Sequence, residues 1–204
     1  MPSANFFRDL GLFAQPKFLD SGERRKILAE MSASTSERAR ISGSATEEGI
    51  VDETWRKTLW TRVENSTAAM VEQRLMEIKP RLEEHFHIPL GGIEPPSFLR
   101  YEPGAFYKPH MDASPNAPAH ILKRRVSAVV FLNPPSNEPA PGSYGGGSLT
   151  FYGLLDGPEW EKCGFPLNAD PGLLIAFRSN TVHEVSPVTH GRRFTIVSWF
   201  TNDG

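Results

Sequence analysis

From Phe98 onward the chain is a succession of short β-prone runs, and no other feature narrows its fold as much. The runs are SFLRYEP, AFYKPHMD, RRVSAVVFLN, GSLTFYG, GLLIAFRS, HEVSPV and RRFTIVSWF, separated by Gly, Pro, Asn and Asp. β-Branched and aromatic side chains suit a pleated, half-buried backbone, and the residues between them supply turns. The pattern predicts an antiparallel sandwich or barrel. The stretch PPSNEPAPGSYGGG is too rich in Pro and Gly to form a strand. Its SYGGGS segment is no phosphate loop, because it lacks the Lys-Ser/Thr pair and no helical pattern follows it.

The N-terminal part reads differently. FAQPKFLD is a short extended segment. Asp20 with Glu23 has the spacing of a capping box and predicts a helix over Ser21 to Ala33. SASTSERARISGSATEEGIVDE is small and polar, and predicts a mobile loop. LWTRVE has strand character. A second helix is predicted from about Ser66, with Ala69, Met70, Leu75, Met76, Ile78 and Leu82 near helical spacing and Pro80 a point where it would kink. The whole reads as one domain over 1–204, with a helical flank and supporting strands in 1–97 and a β core in 98–204. There is no internal repeat.

Composition excludes several function classes. With 22 basic and 24 acidic residues the net charge is -2, which offers no electrostatic case for nucleic acid or an anionic membrane surface. A single cysteine, Cys163, rules out a disulfide framework or a cysteine-based zinc cluster and fits a reducing compartment. The opening MPSANFFRDLGLF carries Arg8 and Asp9 inside its apolar run and makes a poor signal peptide. No run nears the roughly 18 apolar residues of a membrane span. The expectation is a cytoplasmic protein. The sequence carries no signal for oligomeric state.

The chemistry-bearing stretch is YKPHMDAS, in which His110 and Asp112 stand two apart after a proline. Alternate residues of a strand point to one side, so the pair would present an imidazole and a carboxylate together. Taken alone it is a weak signal, as easily two polar residues at a strand end. Two histidines and a carboxylate on one face of iron leave positions open for oxygen chemistry. Among the other histidines, His85 and His87 end the long helix, His120 precedes a basic run and His190 sits in the turn-like THGRR. His183 follows the apolar strand GLLIAF and the turn RSNT, and is placed to close a sandwich around a metal. Ten residues later Arg193 opens RFTIVSWF. By alternation it shares a face with Thr195, Val197 and Trp199, where it is either a rim residue or a buried cation awaiting an anion. Arg192 would take the opposite face.

These motifs together resemble the iron(II)- and 2-oxoglutarate-dependent dioxygenases, in the prolyl-4-hydroxylase-like branch. Tyr101-Glu-Pro-Gly104-Ala-Phe-Tyr107-Lys-Pro-His110-Met-Asp112 is similar to that branch's Tyr-x-x-Gly-x-x-Tyr-x-x-His-x-Asp signature. RRVSAVVFLN, GGGSLTF and PGLLIAFRSNTVHEVSPVTHGRRFTIVSWF resemble its following segments, and FLDSGERRKIL its N-terminal opening. The resemblance implies a mainly β (α+β) fold, a double-stranded β-helix or jelly roll with flanking N-terminal helices. It implies Fe(II) held by His110, Asp112 and His183, and 2-oxoglutarate and O2 as co-substrates. Arg193 resembles the residue pairing with the distal carboxylate of 2-oxoglutarate, and Tyr101 a tyrosine near that co-substrate. Tyr107, Arg124 and Trp199 fall near the substrate pocket. Some relatives have a tyrosine where this chain has Phe131; Ser127, on the same face, is the candidate to supply the hydroxyl, or Arg193 acts with water.

The activity implied is hydroxylation of a peptidyl residue such as proline, or of a small molecule, with release of succinate and CO2. Asp112 favours hydroxylation or another oxidation over halogenation, since halogenating relatives carry a small residue there. Two other readings stay open: a cupin-type jelly roll that binds a metal without 2-oxoglutarate, and an interaction module with a degenerate site. Substrate choice would lie in the loops Ala113 to Lys123 and Pro134 to Gly147, with the 32–49 segment as a lid. Lys123, Arg124, Arg125 and His120 add local positive charge, which reads first as a solvated run.

Overall fold

A computed structural model describes residues 4–43, 46–167 and 170–202. Strands, numbered in chain order, are β1 (Phe13–Gln15), β2 (Ser36–Arg38), β3 (Ile41–Gly43), β4 (Thr46–Ile50), β5 (Leu59–Thr61), β6 (Ser97–Tyr101), β7 (Tyr107–His110) and β8 (Arg124–Phe131). They continue as β9 (Tyr144–Gly146), β10 (Leu149–Phe151), β11 (Phe165–Leu167), β12 (Leu174–Arg178), β13 (His183–Val185), β14 (Val188–Gly191) and β15 (Arg193–Thr201). Helices are α1 (Ala4–Asp9), α2 (Ser21–Ala33) and α3 (Asn65–Phe86). A seven-stranded sheet, in the order β1-β12-β8-β15-β6-β5-β2, faces a four-stranded sheet, β11-β10-β13-β7. All recorded ladders of both sheets are antiparallel. This is the mainly β, jelly-roll architecture that the sequence implied.

α2 and α3 cover one face of the large sheet. Ile27 and Met31 of α2 and Val71, Leu75, Ile78 and Leu82 of α3 pack on Phe98, Val126, Val130, Ile196 and Phe200. The opposite face meets the small sheet through Leu99, Val129, Phe131, Phe151, Ile175 and Phe177. β8 and β15 are therefore covered on both sides, and period-2 alternation sorts their residues between two interiors. Val126, Ala128 and Val130 go to the helices; Ser127, Val129 and Phe131 go between the sheets. In β15, Phe194, Ile196 and Phe200 go to the helices, which sends Arg193, Thr195, Val197 and Trp199 to the inter-sheet space.

The capping box is present. The Asp20 carboxylate accepts from the backbone N–H groups of Gly22 (2.7 Å) and Glu23 (2.8 Å), and Glu23 accepts from the Asp20 N–H (2.9 Å). Pro80 does not interrupt α3. The carbonyl that its missing N–H would have served belongs to Met76, which is exposed, so water can satisfy it.

Two expectations fail. The segment 32–53, read as a mobile loop, supplies β2, which extends the large sheet by pairing with β5, and the β3–β4 hairpin; residues 44 and 45 lie outside the described residues. Ser, Glu and Arg make β2 an edge strand with its polar side chains toward water, where hydrophobic patterning gives no signal. The Pro/Gly-rich stretch contains β9, paired with β14. Its glycines are required by proximity: a Cβ on Gly145 would stand 2.2 Å from the His190 ring, and one on Gly146 2.3 Å from the Pro187 carbonyl oxygen. The two helices should carry much of the stability of the large sheet. Leu75→Ala, at a fully buried contact of α3, should cost about 2–5 kcal/mol and lower the melting temperature by roughly 5–15 °C, read by circular dichroism.

Candidate metal and anion site

The site lies between the two sheets. His110 ends β7 and His183 opens β13, and the two are direct cross-strand partners. Such partners hold their side chains about 5 Å apart on one face, and here the two rings stand 4.3 Å apart, centre to centre. Asp112 falls just past the end of β7 rather than within a strand, so a turn and not alternation aims it. The turn is pinned: the Ala113 N–H donates to the Ser179 carbonyl (2.9 Å), and the Ser179 N–H to the Arg125 carbonyl (3.0 Å).

One Asp112 carboxylate oxygen lies 3.6 Å from His110 Nε2, and the other lies 3.6 Å from His183 Nε2. The ligand atoms of His110, Asp112 and His183 all lie within 4.8 Å of one another, close enough to share one metal ion. Both imidazoles are oriented the same way. His110 Nδ1 is 2.8 Å from the Lys108 carbonyl oxygen and His183 Nδ1 is 2.9 Å from that of Thr181. Each Nδ1–H donates to a carbonyl two residues earlier, leaving Nε2 with a free lone pair toward Asp112. This is the tautomer a metal ligand needs.

The electrostatics agree. Burial pushes His183 down to about 4, aided by His110, against the opposing pull of Asp112 and the Thr181 carbonyl. It stays a neutral ligand at physiological pH. Burial alone would raise the Asp112 carboxyl, but His183, His110 and the Ser127 hydroxyl outweigh it and hold it well below the usual carboxylate range. Tyr107, pushed up to about 12 by burial, is a neutral phenol stacked on His110, with ring centres 3.5 Å apart.

The cavity above the three ligands also takes in Tyr101, Ser127, Arg193, Thr195 and Trp199. Arg193 is the largest fully buried side chain. Its guanidinium lies over Tyr101 (4.9 Å) and Phe131 (5.4 Å), and Nη1 reaches Thr195 Oγ1 at 3.5 Å. Nε and Nη2 are buried without a hydrogen-bond partner among the described residues. These two atoms share the guanidinium edge that grips a carboxylate side-on. A buried, uncompensated cation is costly unless an anion completes it, so the arrangement fits a carboxylate ligand as the triad fits a metal.

The backbone is built to hold Arg193 there. The Asn133 amide donates to the Arg192 carbonyl (2.8 Å) and accepts from the Phe194 N–H (2.9 Å), clamping the chain on both sides of it. Gly147 leaves room for the stem, since a Cβ there would stand 2.9 Å from Arg193 Cδ. Asn133 and Gly147 escape a reading of the sequence, because their partners are distant in the chain.

The remaining candidates sort by position. The Ser127 hydroxyl donates to the Asp112 carboxylate, at the metal end of the cavity, and its oxygen lies 3.0 Å from Ser179 Oγ, which can donate to it in turn. The hydroxyl beside Arg193 is that of Thr195 instead. Alternation had placed Thr195 on this face without giving it a role. Trp199 pairs across the ladder with Ser127 and carries the Arg124 guanidinium on its ring at 3.7 Å. Arg124 is held by Glu94 through two 2.6 Å bonds. A groove outside the metal cavity is lined by Trp60, Glu94, Tyr107, Arg124 and Trp199 and reaches Asp112. Arg56, which lines both spaces, lay in a stretch without a sequence signal.

The family model described as the 2OG-Fe(II) oxygenase superfamily matches residues 96–201, just over half of the chain. A PKHD-type hydroxylase of Pseudoalteromonas atlantica is 37% identical over 114 residues, 52% of this chain and 43% of that protein. The chain thus spans less than half the length of the curated relatives it matches in this way. A Pseudomonas putida prolyl-4-hydroxylase superimposes with a TM-score of 0.67 at 26% identity, covering 98% of this chain and 99% of that one. A Trichoplax adhaerens prolyl hydroxylase, solved with a peptide fragment of hypoxia inducible factor, superimposes with a TM-score of 0.69 at 18% identity, over 98% and 87%.

Removing the buried charge separates anion binding from folding. Arg193→Met should leave the melting temperature of the ligand-free protein unchanged or higher, as apolar replacement of a costly buried ion predicts. Glutarate, a dicarboxylate, should raise the melting temperature of the wild type and not that of the variant, read by differential scanning fluorimetry.

Proposed function

The chain belongs to the 2OG-Fe(II) oxygenase superfamily, and we propose that it hydroxylates a peptidyl residue such as proline, or a small molecule, with conversion of 2-oxoglutarate to succinate and CO2. The observation that carries this reading is one cavity holding a two-histidine, one-carboxylate cluster and a buried arginine without an anion. His110, Asp112 and His183 would hold Fe(II). Together with 2-oxoglutarate and O2, the metal supplies the oxidising power to replace a substrate C–H by C–OH.

The protein's own residues do the rest. Arg193, through Nε and Nη2, would receive the distal carboxylate of 2-oxoglutarate, with Thr195 beside it and Tyr101 beneath. Ser127 and Ser179 hold the Asp112 carboxylate in place. The Phe151 and Phe177 rings beside His183 keep that end of the cavity dry, which limits side reactions. Tyr107, Arg124 and Trp199 stand where the groove opens toward Asp112 and would meet the substrate. Family membership and Arg193 both weigh against the cupin-type reading, which needs no anion receptor.

We read 1–204 as one catalytic domain, supported by the way β1, β2 and β5 of the N-terminal part complete the same large sheet as β8 and β15. A cytoplasmic setting is part of the reading. No helix among the described residues is long and apolar enough to cross a membrane, and the single cysteine leaves no internal disulfide.

Calorimetric titration under nitrogen, followed by succinate detection in air, tests the assignment. The wild type should bind Fe(II) and then 2-oxoglutarate, and release succinate slowly without substrate. His110→Ala should lose metal binding. Arg193→Met should keep it while weakening 2-oxoglutarate at least about tenfold, the scale of one charge-assisted carboxylate contact. Metal binding with no 2-oxoglutarate heat at any concentration would sink the oxygenase reading.

A further inference from the structure

A second arginine has the same electrostatic predicament as Arg193, on the substrate side of the metal ligands. Arg56 is 8% exposed. Its Nη1 donates to the Arg40 carbonyl (2.9 Å), a contact that neutralises no charge. Its Nε is buried without a partner among the described residues, and the neighbouring Nη2, for which no hydrogen bond to the described residues is seen, faces the spaces that Arg56 lines. The guanidinium lies 4.7 Å from the centre of the Tyr107 ring, which in turn stacks on His110. Arg56 is therefore two stacking contacts from a metal ligand, and it lines both the metal cavity and the groove outside it.

The carboxylates around it are already engaged. Glu94 is held by Arg124 (2.6 Å) and Glu53 by Arg38 (3.1 Å). Glu102 meets Arg100 (2.9 Å) and Arg192 (3.0 Å). Asp112 faces the two histidines. None of these carboxylates pairs with Arg56. A surface arginine in this condition would need no explanation, because water would solvate it. One withdrawn from water needs a partner that arrives with a ligand.

We propose that Arg56 is a substrate-specificity residue that binds a carboxylate carried by the substrate, through its Nε/Nη2 edge, while the reacting carbon sits over the metal. This rests on the oxygenase reading above and narrows its substrate class to anionic molecules. An extended chain advances about 3.3–3.6 Å per residue. The short path from Arg56 to His110 therefore fits an acidic side chain close to the reacting residue of a peptide. The α-carboxylate of a free amino acid offers the same chemistry.

The test is direct binding to the full chain loaded with Fe(II) and 2-oxoglutarate under nitrogen, read by tryptophan fluorescence, since Trp60 and Trp199 line the groove. Two probe pairs separate the two sources: blocked Gly-Pro-Glu-Gly against Gly-Pro-Gln-Gly, and L-proline against L-prolinamide. In at least one pair the acid should bind about ten- to hundredfold tighter than the amide. Arg56→Gln and Arg56→Met should abolish that preference, and Arg56→Lys should restore part of it. Affinity for 2-oxoglutarate, measured separately by calorimetry, should stay within about twofold in all three. Thermal melts of the three variants separate loss of packing on Tyr107 from loss of the cation. Equal binding of acid and amide, no acid binding up to millimolar concentration, or a preference surviving in Arg56→Met would each overturn the proposal. So would a 2-oxoglutarate affinity that moves with Arg56, which would place this residue in the co-substrate site. Failure of the oxygenase reading would show instead as absent 2-oxoglutarate binding in the wild type.

Discussion

The double burial of β15 is the constraint on which the rest depends. Helices cover one face of this strand and the small sheet covers the other, so its side chains from Arg193 to Ile196 are all buried in one of two interiors. Phe194, Ile196 and Phe200 bind the helices to the sheet. Of the intervening positions, Arg193 and Thr195 are each 1% exposed, so Arg193 has no route to solvent. The packing that stabilises the helical face is thus what forces a cation into the inter-sheet cavity. The Asn133 clamp and the space left by Gly147 keep it there. Stability and ligand binding share one strand, and they are separated by parity.

The same logic orders the metal end. Antiparallel pairing of β7 with β13 sets His110 opposite His183. Their Nδ1 contacts to Lys108 and Thr181 select the tautomer that leaves Nε2 free. Asp112 comes from a turn and is fixed by contacts of that turn with Ser179 and of its carboxylate with Ser127. Each of the three side chains is held by protein contacts of its own, to backbone carbonyls for the histidines and to the Ser127 hydroxyl for Asp112. Preorganisation of this kind reduces the ordering cost of binding.

Two arginines then divide the space around the metal ligands. Arg193 sits deep, over Tyr101 and Phe131, and Arg56 lies toward the groove, over Tyr107. Arg124, by contrast, is neutralised by Glu94 and serves as a packed wall on Trp199. The distinction is one of compensation. A guanidinium paired with a glutamate shapes a pocket, and one left without an anion calls for a ligand.

Local pattern was sufficient for much of this molecule. The capping box at Asp20 and the apolar spacing in α3 report interactions within a few residues, and both helices stand where that spacing places them. The runs after Phe98 became the strands of a jelly roll because alternation and turn residues are local properties as well. Alternation also assigned Arg193 and Trp199 to one face. The sequence by itself therefore determined the fold class and which residues share a side. It did not determine β2 or β9, whose polar or glycine-rich residues form strands only because a partner edge is waiting. Nor did it reveal Arg56, Thr195 beside Arg193, or the Asn133 clamp. Those depend on which segments meet across dozens of residues, and on which charges remain uncompensated after every pair has formed. Only the tertiary structure decides that, because compensation of a buried charge belongs to its surroundings and not to its neighbours in the chain.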